Sequence, residues 1–493
     1  MPHLPFRPTS ARRHLDMGRG GRGGARDAAS QRAFRYGSLV MPQSREGDRE
    51  RSGPRQPLLA RLANQWWDRL IAAVFSGSLA DQTARYASHS TTLDYAFNSV
   101  GLGVWGALFP LLTMVSSQLV GTEQAGMFSM AFVYANLIQF VGMYGVRTYQ
   151  VSDVDETNSF GAYQLQRVLT CLFMAGAGWL LCALRGYGQG EMLTICLGTF
   201  SFRVVDSIAD VYEGRLQQQD KLWLSGLSQV LRCAGGIVAF CLALVLTRGV
   251  ATSSMAMAGV AAASLLLVTI PLTYFETERS RGWELVEVRQ IFVDCAPTFL
   301  ATFLFSLIET VPKFAMEGSL PYDSQLFFNA IYFPAQGIAM SVSLIYRPQL
   351  VRLATIWSNP SHRKRFDLIV IVVIALAVGI TVAMVAFNAL VGIPLLNLLY
   401  GTDFEPLRNQ LYLMVVAGGL SAVVDFLYQI ITVQRRQELA SRLYLIAFGV
   451  SVLLSMTLVR VIGFEGAVYA YALSMAALFL LLASQYVVVR VRS

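Results

Sequence analysis

The sequence predicts an all-α polytopic membrane protein, with about twelve transmembrane helices in two six-helix lobes and both termini in the cytoplasm. Only 14% of the residues are charged and 54% are hydrophobic, with a mean hydropathy of +0.49. A soluble protein is about a quarter charged. The apolar residues form long blocks, and the basic residues concentrate in alternate connections between them. These features favour a membrane protein over a soluble multidomain protein.

The first part of the chain has a different composition from the rest. Residues 1–57 contain RGGRGGARD and REGDRERSGPRQP, so we predict a disordered cytoplasmic extension. Residues 58–75 repeat an apolar residue every four positions and carry a Trp pair. That pattern predicts an amphipathic helix at the membrane interface. Packing of this helix on the protein itself is the alternative.

Twelve apolar runs follow from Leu93 onward, each of roughly 20 residues, the length that crosses ~30 Å of hydrocarbon. Backbone groups in hydrocarbon need partners within their own segment, so each run is predicted to be a helix. The runs lie near 93–119, 127–146, 165–184, 190–211, 223–247, 255–275, 293–315, 324–346, 367–391, 408–432, 442–462 and 467–489.

The basic residues predict the topology. One set of alternate connections and helix ends holds eighteen Lys and Arg residues, and the other set holds five. The basic set is expected to face the cytoplasm. A charged segment, 276–292, then divides the spans into an N-terminal lobe at 93–275 and a C-terminal lobe at 293–489. Two six-helix lobes of equal topology are typical of transporters built from repeats.

Ionisable residues inside the spans are candidate functional groups, because a charge in hydrocarbon is costly. Arg232 lies about nine residues into its span and is either a substrate contact or half of a buried ion pair. Lys313 and Glu309 are four residues apart in the seventh span, near Pro297 and Pro312. They could pair with each other or serve transport. Asp425 in the tenth span is a weaker candidate.

The fourth span carries a set of charges at helical spacing. Arg203, Asp206, Asp210 and Glu213 are separated by three, four and three residues, so they share one helical face. That face is expected to point into the lobe or a water-filled cavity. Asp206 or Asp210 could neutralise Arg232. Arg147 follows the second span, where it is either a cytoplasmic anchor or a first contact for a substrate.

Several classes of chemistry are not supported. The six cysteines contain no CxxC pair, and four histidines are too few and too scattered for a zinc-type ligand cluster, so no metal or cofactor is predicted. The motif GxxxxGK[ST] of nucleotide-binding loops is absent. The net charge of +8 follows membrane topology rather than a nucleic-acid surface. We therefore predict a protein that is neither an enzyme nor a nucleic-acid binder.

Several ordered motifs in 93–489 carry a family resemblance. They are GVRTYQVSDVDE, FGAYQLQR, DVYEGRLQQQDKL, VPKFAMEGSL, FNAIYFPAQGIAMSVSLIYRPQL and VGIPLLNLLYGTDF. In this order and spacing they resemble the bacterial polysaccharide flippases, which move O-antigen and capsule repeat units. These flippases belong to the multidrug/oligosaccharidyl-lipid/polysaccharide exporter superfamily.

The resemblance implies a transporter in the bacterial cytoplasmic membrane that flips undecaprenyl-diphosphate-linked oligosaccharide from the inner to the outer leaflet. It also implies alternating access by two lobes, and a polysaccharide polymerase and glycosyltransferases as partners. Such flippases have a cationic cavity, and by position Arg147, Arg232 and Lys313 are its candidates here.

Two other functions stay open. One is a cation-coupled drug antiporter of the same superfamily, for which Asp206, Glu309 or Asp425 could carry the proton. The basic bias of the buried charges disfavours it. The other is a membrane-bound polymerase or glycosyltransferase, which the short predicted extracytoplasmic loops disfavour.

Overall fold

The computed structural model describes residues 90–153, 156–347, 350, 353, 356–357, 363–434 and 437–492. Eleven helices in these residues are long and apolar enough to cross a membrane. The last of them has non-helical backbone at Ile462 and Gly463, which divides it into two spans. The predicted all-α polytopic fold is therefore confirmed. The predicted segments 1–57 and 58–75 lie outside the described residues.

The helices are numbered in chain order, and all except the short α3 are candidates for spanning. They are α1 (Ser90–Val120), α2 (Thr122–Met143), α3 (Val146–Ser152), α4 (Phe160–Leu184), α5 (Glu191–Gln218), α6 (Leu222–Thr247), α7 (Val250–Glu276), α8 (Leu285–Met316), α9 (Asp323–Tyr346), α10 (Arg363–Tyr400), α11 (Arg408–Val433) and α12 (Gln437–Arg492).

Two of these helices contain a turn of π geometry that ends two residues before a proline. The π turn Leu265–Thr269 precedes Pro271 in α7, and Asn388–Gly392 precedes Pro394 in α10. Proline has no N–H, and its ring clashes with the carbonyl four residues earlier. A wider turn accommodates that misfit locally. Both helices therefore continue across the proline.

Two hydrophobic cores divide the helices into two lobes. The core of the first lobe, α1–α7, includes Phe132 and Phe240. The core of the second lobe, α8–α12, includes Phe426 and Leu478. Each lobe thus buries its own apolar faces, which is the condition for one lobe to move against the other.

Helix α8 begins earlier than the apolar pattern predicts. Of the predicted linker 276–292, only 277–284 lies outside helices. Val288 and Ile291 are buried in a small cluster with Phe160 of the first lobe. This part of α8 is amphipathic, and a search for apolar runs passes over such a helix.

The connections between helices alternate between two ends of the molecule. One end, here called the basic end, holds the connections 219–221 and 277–284, which carry Lys221, Arg279 and Arg281. The other end, here called the far end, holds 121, 185–190, 248–249, 317–322 and 401–407. The positive-inside rule predicts that the basic end faces the cytoplasm.

The lobes are joined differently at the two ends. At the far end, Ser117 Oγ of α1 donates to Tyr400 O of α10 at 2.8 Å. Nearby, Asn329 Nδ2 of α9 donates to Ser129 Oγ of α2 at 2.8 Å. At the basic end, the polar contacts between lobes that the described residues show all involve α8 or the linker before it. Helices α9–α12 thus meet the first lobe through polar contacts at the far end.

Candidate functional site

A cavity of about 310 Å³ lies between the two lobes. Its wall combines aromatic rings, carboxamides and two ionisable side chains. The first lobe contributes Trp105, Asn136 and Gln139, and the second lobe contributes Glu309, Lys313 and Tyr332. A mostly apolar pocket with a few placed polar groups is the usual form of a ligand site.

The end of α8 is shaped by Pro312, which precedes Lys313. Proline cannot donate to the carbonyl of Ile308, and Ser451 Oγ donates to that oxygen instead at 3.3 Å. Gln325 Nε2 donates to Lys313 O at 2.8 Å. Ser451 thus satisfies the carbonyl that the proline leaves free, and Gln325 adds a second donor to Lys313 O, which also accepts from the Glu317 N–H. The backbone that carries Lys313 is thereby fixed.

Lys313 is a buried cation that faces the cavity. Its side chain is only 7% exposed. The ammonium lies 4.6 Å from the centre of the Tyr332 ring and 5.7 Å from that of Phe328. No described carboxylate lies within 4.0 Å of it, and it forms no hydrogen bond to a described residue. Aromatic faces alone only partly replace the lost hydration of an ammonium.

Glu309 lies one turn before Lys313, but the two do not form the ion pair that their spacing allows. The Glu309 carboxylate accepts a hydrogen bond from Tyr332 Oη at 2.9 Å, with Ser421 Oγ at 3.4 Å and Tyr471 Oη at 3.5 Å. These hydroxyls hold Glu309 toward the second lobe. The cavity therefore contains an acid and a base that are held apart.

The opposite wall of the cavity connects to a buried charge network in the first lobe. Trp105 Nε1 donates to Asp206 Oδ2 at 3.0 Å, and Gln139 Nε2 donates to the same oxygen at 2.8 Å. Both donors line the cavity. Asp206 is itself 2% exposed. The orientation of this wall thus depends on a carboxylate behind it.

Arg232 is neutralised in that network. Its guanidinium lies 2.8 Å from Asp206 Oδ1 and 2.5 Å from Glu213 Oε1, and the side chain is 1% exposed. Arg203 is the second arginine beside Asp206, at 3.2 Å from Oδ2, and its guanidinium lies 4.6 Å from the Phe132 ring centre. Of the two partners predicted for Arg232, Asp206 is the one that the structure places beside it.

Arg147 lies in a neighbouring part of the network, outside the cavity wall. It follows Tyr144 and Gly145, whose left-handed backbone ends α2 and starts α3. Its guanidinium lies 2.9 Å from Asp210 Oδ1, and Arg167 lies 2.8 Å from Asp210 Oδ2. Asp210 therefore neutralises arginines at the basic end rather than Arg232.

Asp425, the remaining candidate, lies away from the cavity. Its carboxylate accepts a hydrogen bond from Tyr346 Oη, and Arg347 Nη2 lies 4.0 Å away. Both partners are at the end of α9. This cluster joins α9 to α11 within the second lobe.

Three cavity residues are uncharged, so a search of the sequence for ionisable residues inside the spans does not find them. Trp105, Asn329 and Tyr332 lie in apolar spans, where an aromatic or amide residue looks like ordinary core. A weak signal did exist for Tyr332, because Asn329, Tyr332 and Gln336 follow a spacing of three and four that places them on one face. That polar face of α9 is the face that meets the cavity.

No protein-family model matches the chain, and no curated protein matches it in sequence. Solved structures do match it. An inward-facing multidrug resistance MATE family transporter of the MOP superfamily aligns with a TM-score of 0.58 at 15% identity, over 80% of this chain and 99% of that one. An outward-facing one aligns with a TM-score of 0.55 at 14% identity, over 82% and 97%. The chain has the MATE fold.

A third similar structure is a MOP superfamily transporter from Pyrococcus furiosus. It is described as having a binding pocket of reversed polarity that suggests a different function. It aligns with a TM-score of 0.52 at 14% identity, over 80% of this chain and 95% of that one. The cavity of this chain lies between the two lobes of this fold. A fold does not define a cargo, so the cargo must be inferred from the residues that line the cavity.

Proposed function

We propose that this chain is an alternating-access transporter that flips a lipid-linked oligosaccharide across the bacterial cytoplasmic membrane and binds it through its diphosphate. The observation that carries this proposal is Lys313, a buried ammonium in the cavity between the lobes without an anionic partner among the described residues. Such a cation attracts phosphate far more strongly than an ammonium in water. A phosphate oxygen would also supply its missing hydrogen bonds.

The arrangement of the other charges supports this role for Lys313. Arg147 and Arg232 were equal candidates, but each has carboxylates of its own. If a cargo took the place of those carboxylates, they would remain buried without a counter-ion, which is costly. Among the described residues, Lys313 has no carboxylate partner to lose. It is therefore the group that a diphosphate can reach without breaking an existing ion pair.

The size of the cavity limits which part of the cargo it holds. A volume of about 310 Å³ is at the lower end of the range for ligand pockets. It suits a diphosphate and the start of the attached glycan. The polyprenyl chain would remain in lipid, and the rest of the glycan would enter only when the lobes separate further.

Flipping by the purified protein tests this proposal. The protein is placed in proteoliposomes with a polyprenyl-diphosphate disaccharide, and a membrane-impermeant glycosidase reports how much of it reaches the outer leaflet. We expect Lys313→Ala to reduce the rate at least about tenfold, the scale for loss of one charge-assisted contact. Lys313→Arg should retain part of it.

The matched control is Lys221→Ala. Lys221 is a lysine at the basic end, paired with Glu276 at 2.9 Å and partly exposed. Its removal should leave flipping unchanged. Flipping by Lys313→Ala at the rate of the unchanged protein would contradict the proposed cargo site.

A second candidate function, cation-coupled export of organic cations, is favoured by one observation. Glu309 is a buried carboxylate in the cavity, held by hydroxyls and without a basic residue within 4.0 Å among the described residues. Such a group could exchange a proton for a cationic substrate. Efflux of ethidium from proteoliposomes, abolished by Glu309→Gln and insensitive to Lys313→Ala, would support this function instead.

A further inference from the structure

Glu317 ends α8 at the far end, one helical turn beyond Lys313. It belongs to the second lobe, but its polar side-chain partners come from the first. The hydroxyls of Tyr134 and Tyr187 donate to its two carboxylate oxygens. Arg185 Nε lies 3.2 Å from Oε2. One carboxylate thus joins α2, the end of α4 and the α4–α5 connection to α8.

Aromatic contacts surround this carboxylate. The guanidinium of Arg185 lies 5.8 Å from the ring centre of Tyr134 and 5.5 Å from that of Phe314. The two rings are themselves 5.1 Å apart. Tyr134 directly follows the cavity residue Val133, and Phe314 directly follows Lys313. The cluster therefore covers the cavity on the side of the far end.

We infer that Glu317, held by Tyr134, Tyr187 and Arg185, is the closure that must open before cargo can leave the cavity at the far end. This inference rests on the proposed function, because a closure matters only in a protein whose lobes separate. These four residues form the far-end closure.

Other contacts at the far end are weaker candidates for this role. Ser117 Oγ donates to a backbone carbonyl, and Asn329 Nδ2 donates to a hydroxyl. Both are neutral single bonds, which contribute less than hydrogen bonds to a charged group. The carboxyl group of Glu317 instead gathers three donors from the first lobe, and one of them is the charged guanidinium of Arg185. Its loss should therefore have the largest effect on closure.

The far-end closure is also suited to opening. Glu317 is only 5% exposed in its side chain, while Arg185 is 34% exposed. When the lobes separate, water hydrates both groups and offsets much of the lost interaction. The closed and open arrangements can therefore lie close in free energy, as a transport cycle requires.

A distance measurement tests this inference without cargo. Spin labels are attached at Gln189→Cys in the first lobe and Glu465→Cys in the second, both exposed positions at the far end, in a cysteine-free background in nanodiscs. Double electron–electron resonance then reports whether the lobes are close or separated. We expect Glu317→Ala to raise the ratio of separated to closed lobes about tenfold.

The control is Glu405→Gln, which breaks an exposed ion pair with Arg408 at the same end. It should leave the distances unchanged. Because Glu317→Ala could impair folding, the double variant Tyr134→Phe with Tyr187→Phe provides an independent test. It removes two donors and keeps the carboxylate, and it should also favour separated lobes. Distances like those of the unchanged protein in both variants would overturn the inference.

The same labelled protein separates this inference from the proposed function. Lys313→Ala should slow flipping at least about tenfold and leave the far-end distances unchanged. Loss of the closure in Glu317→Ala together with normal flipping by Lys313→Ala would refute the cargo site alone. Normal distances in Glu317→Ala together with defective flipping by Lys313→Ala would refute the closure alone.

Discussion

Tyr332 separates Lys313 from Glu309 across one turn of α8. The Lys313 ammonium lies 4.6 Å from the centre of the Tyr332 ring, and the Tyr332 hydroxyl donates to Glu309 at 2.9 Å. The tyrosine thus contacts the base with its face and the acid with its edge. This arrangement keeps both ionisable groups in the cavity without neutralising either by direct contact.

Removing the acid from this arrangement should strengthen anion binding. In Glu309→Gln, a negative charge is lost close to the proposed phosphate site, so the affinity for geranyl diphosphate should rise about two- to fivefold. Asp425→Asn, which removes a carboxylate outside the cavity in the same lobe, should leave the affinity unchanged. Microscale thermophoresis of the purified variants measures both. Weaker binding by Glu309→Gln would mean that Glu309 orients Lys313 instead of opposing the cargo.

Arg232 should be required for stability. Arg232→Met leaves Asp206 and Glu213 buried without their shared counter-ion, at an expected cost of about 3–5 kcal/mol in the free energy of unfolding. Thermal unfolding in detergent should show a large drop in midpoint. Arg408→Met, which breaks an exposed pair, is the control and should change little. If the Arg232→Met protein is stable but does not flip the lipid-linked substrate, Arg232 is a cargo contact instead.

The approach of α6 to α1 requires glycine at position 226. A Cβ there would lie 2.5 Å from the backbone oxygen of Phe97, and backbone cannot move aside as a side chain can. Gly226→Ala should therefore destabilise the first lobe by roughly 1–3 kcal/mol. Gly103→Ala, whose Cβ meets nothing within 4 Å, is the matched control. Equal unfolding midpoints for the two variants would contradict the close packing of these helices.

The far-end closure should respond to pH. Burial raises the pKa of Glu317 from 4.5 to about 8 in the closed arrangement, and the groups that face it are Arg185, Tyr134 and Tyr187. A pKa raised by closure means that the protonated form favours closure. That preference is complete below about pH 4.5 and is lost as the pH rises through about 8.

The spin-label distances measure this pH dependence. Separated lobes should become more populated between about pH 5 and about pH 9, and Glu317→Gln, which cannot ionise, should show no such trend. An opposite trend, with closure favoured at high pH, would mean that the Arg185 ion pair outweighs the cost of burying the carboxylate.

Much of the fold could be predicted because the apolar runs are long and nearly free of charge. The break at Ile462 and Gly463 falls between two predicted spans, although the helix continues on both sides. The beginning of α8 was missed because its buried residues alternate with charged ones. Local composition thus determines which segments span the membrane. Where an amphipathic helix begins or ends depends instead on its packing partners in other helices.

The charge pairing in and around the cavity was harder to predict from the sequence than the fold. The shared face of Arg203, Asp206 and Asp210 followed from helical spacing, but the choice of Asp206 for Arg232 depends on how α5 and α6 pack. The sequence likewise allowed Lys313 to pair with Glu309. Only the position of Tyr332, contributed by another helix, keeps the two apart.

The most direct test of the central claim is the affinity of the purified protein for geranyl diphosphate at fixed salt, with and without the Lys313 ammonium. Lys313→Met preserves the length and apolar character of the side chain and removes its charge, so a loss of at least about tenfold in affinity is expected. Lys221→Met should bind as the unchanged protein does. An equal affinity in Lys313→Met would show that the diphosphate is held elsewhere and would contradict the proposed cargo site.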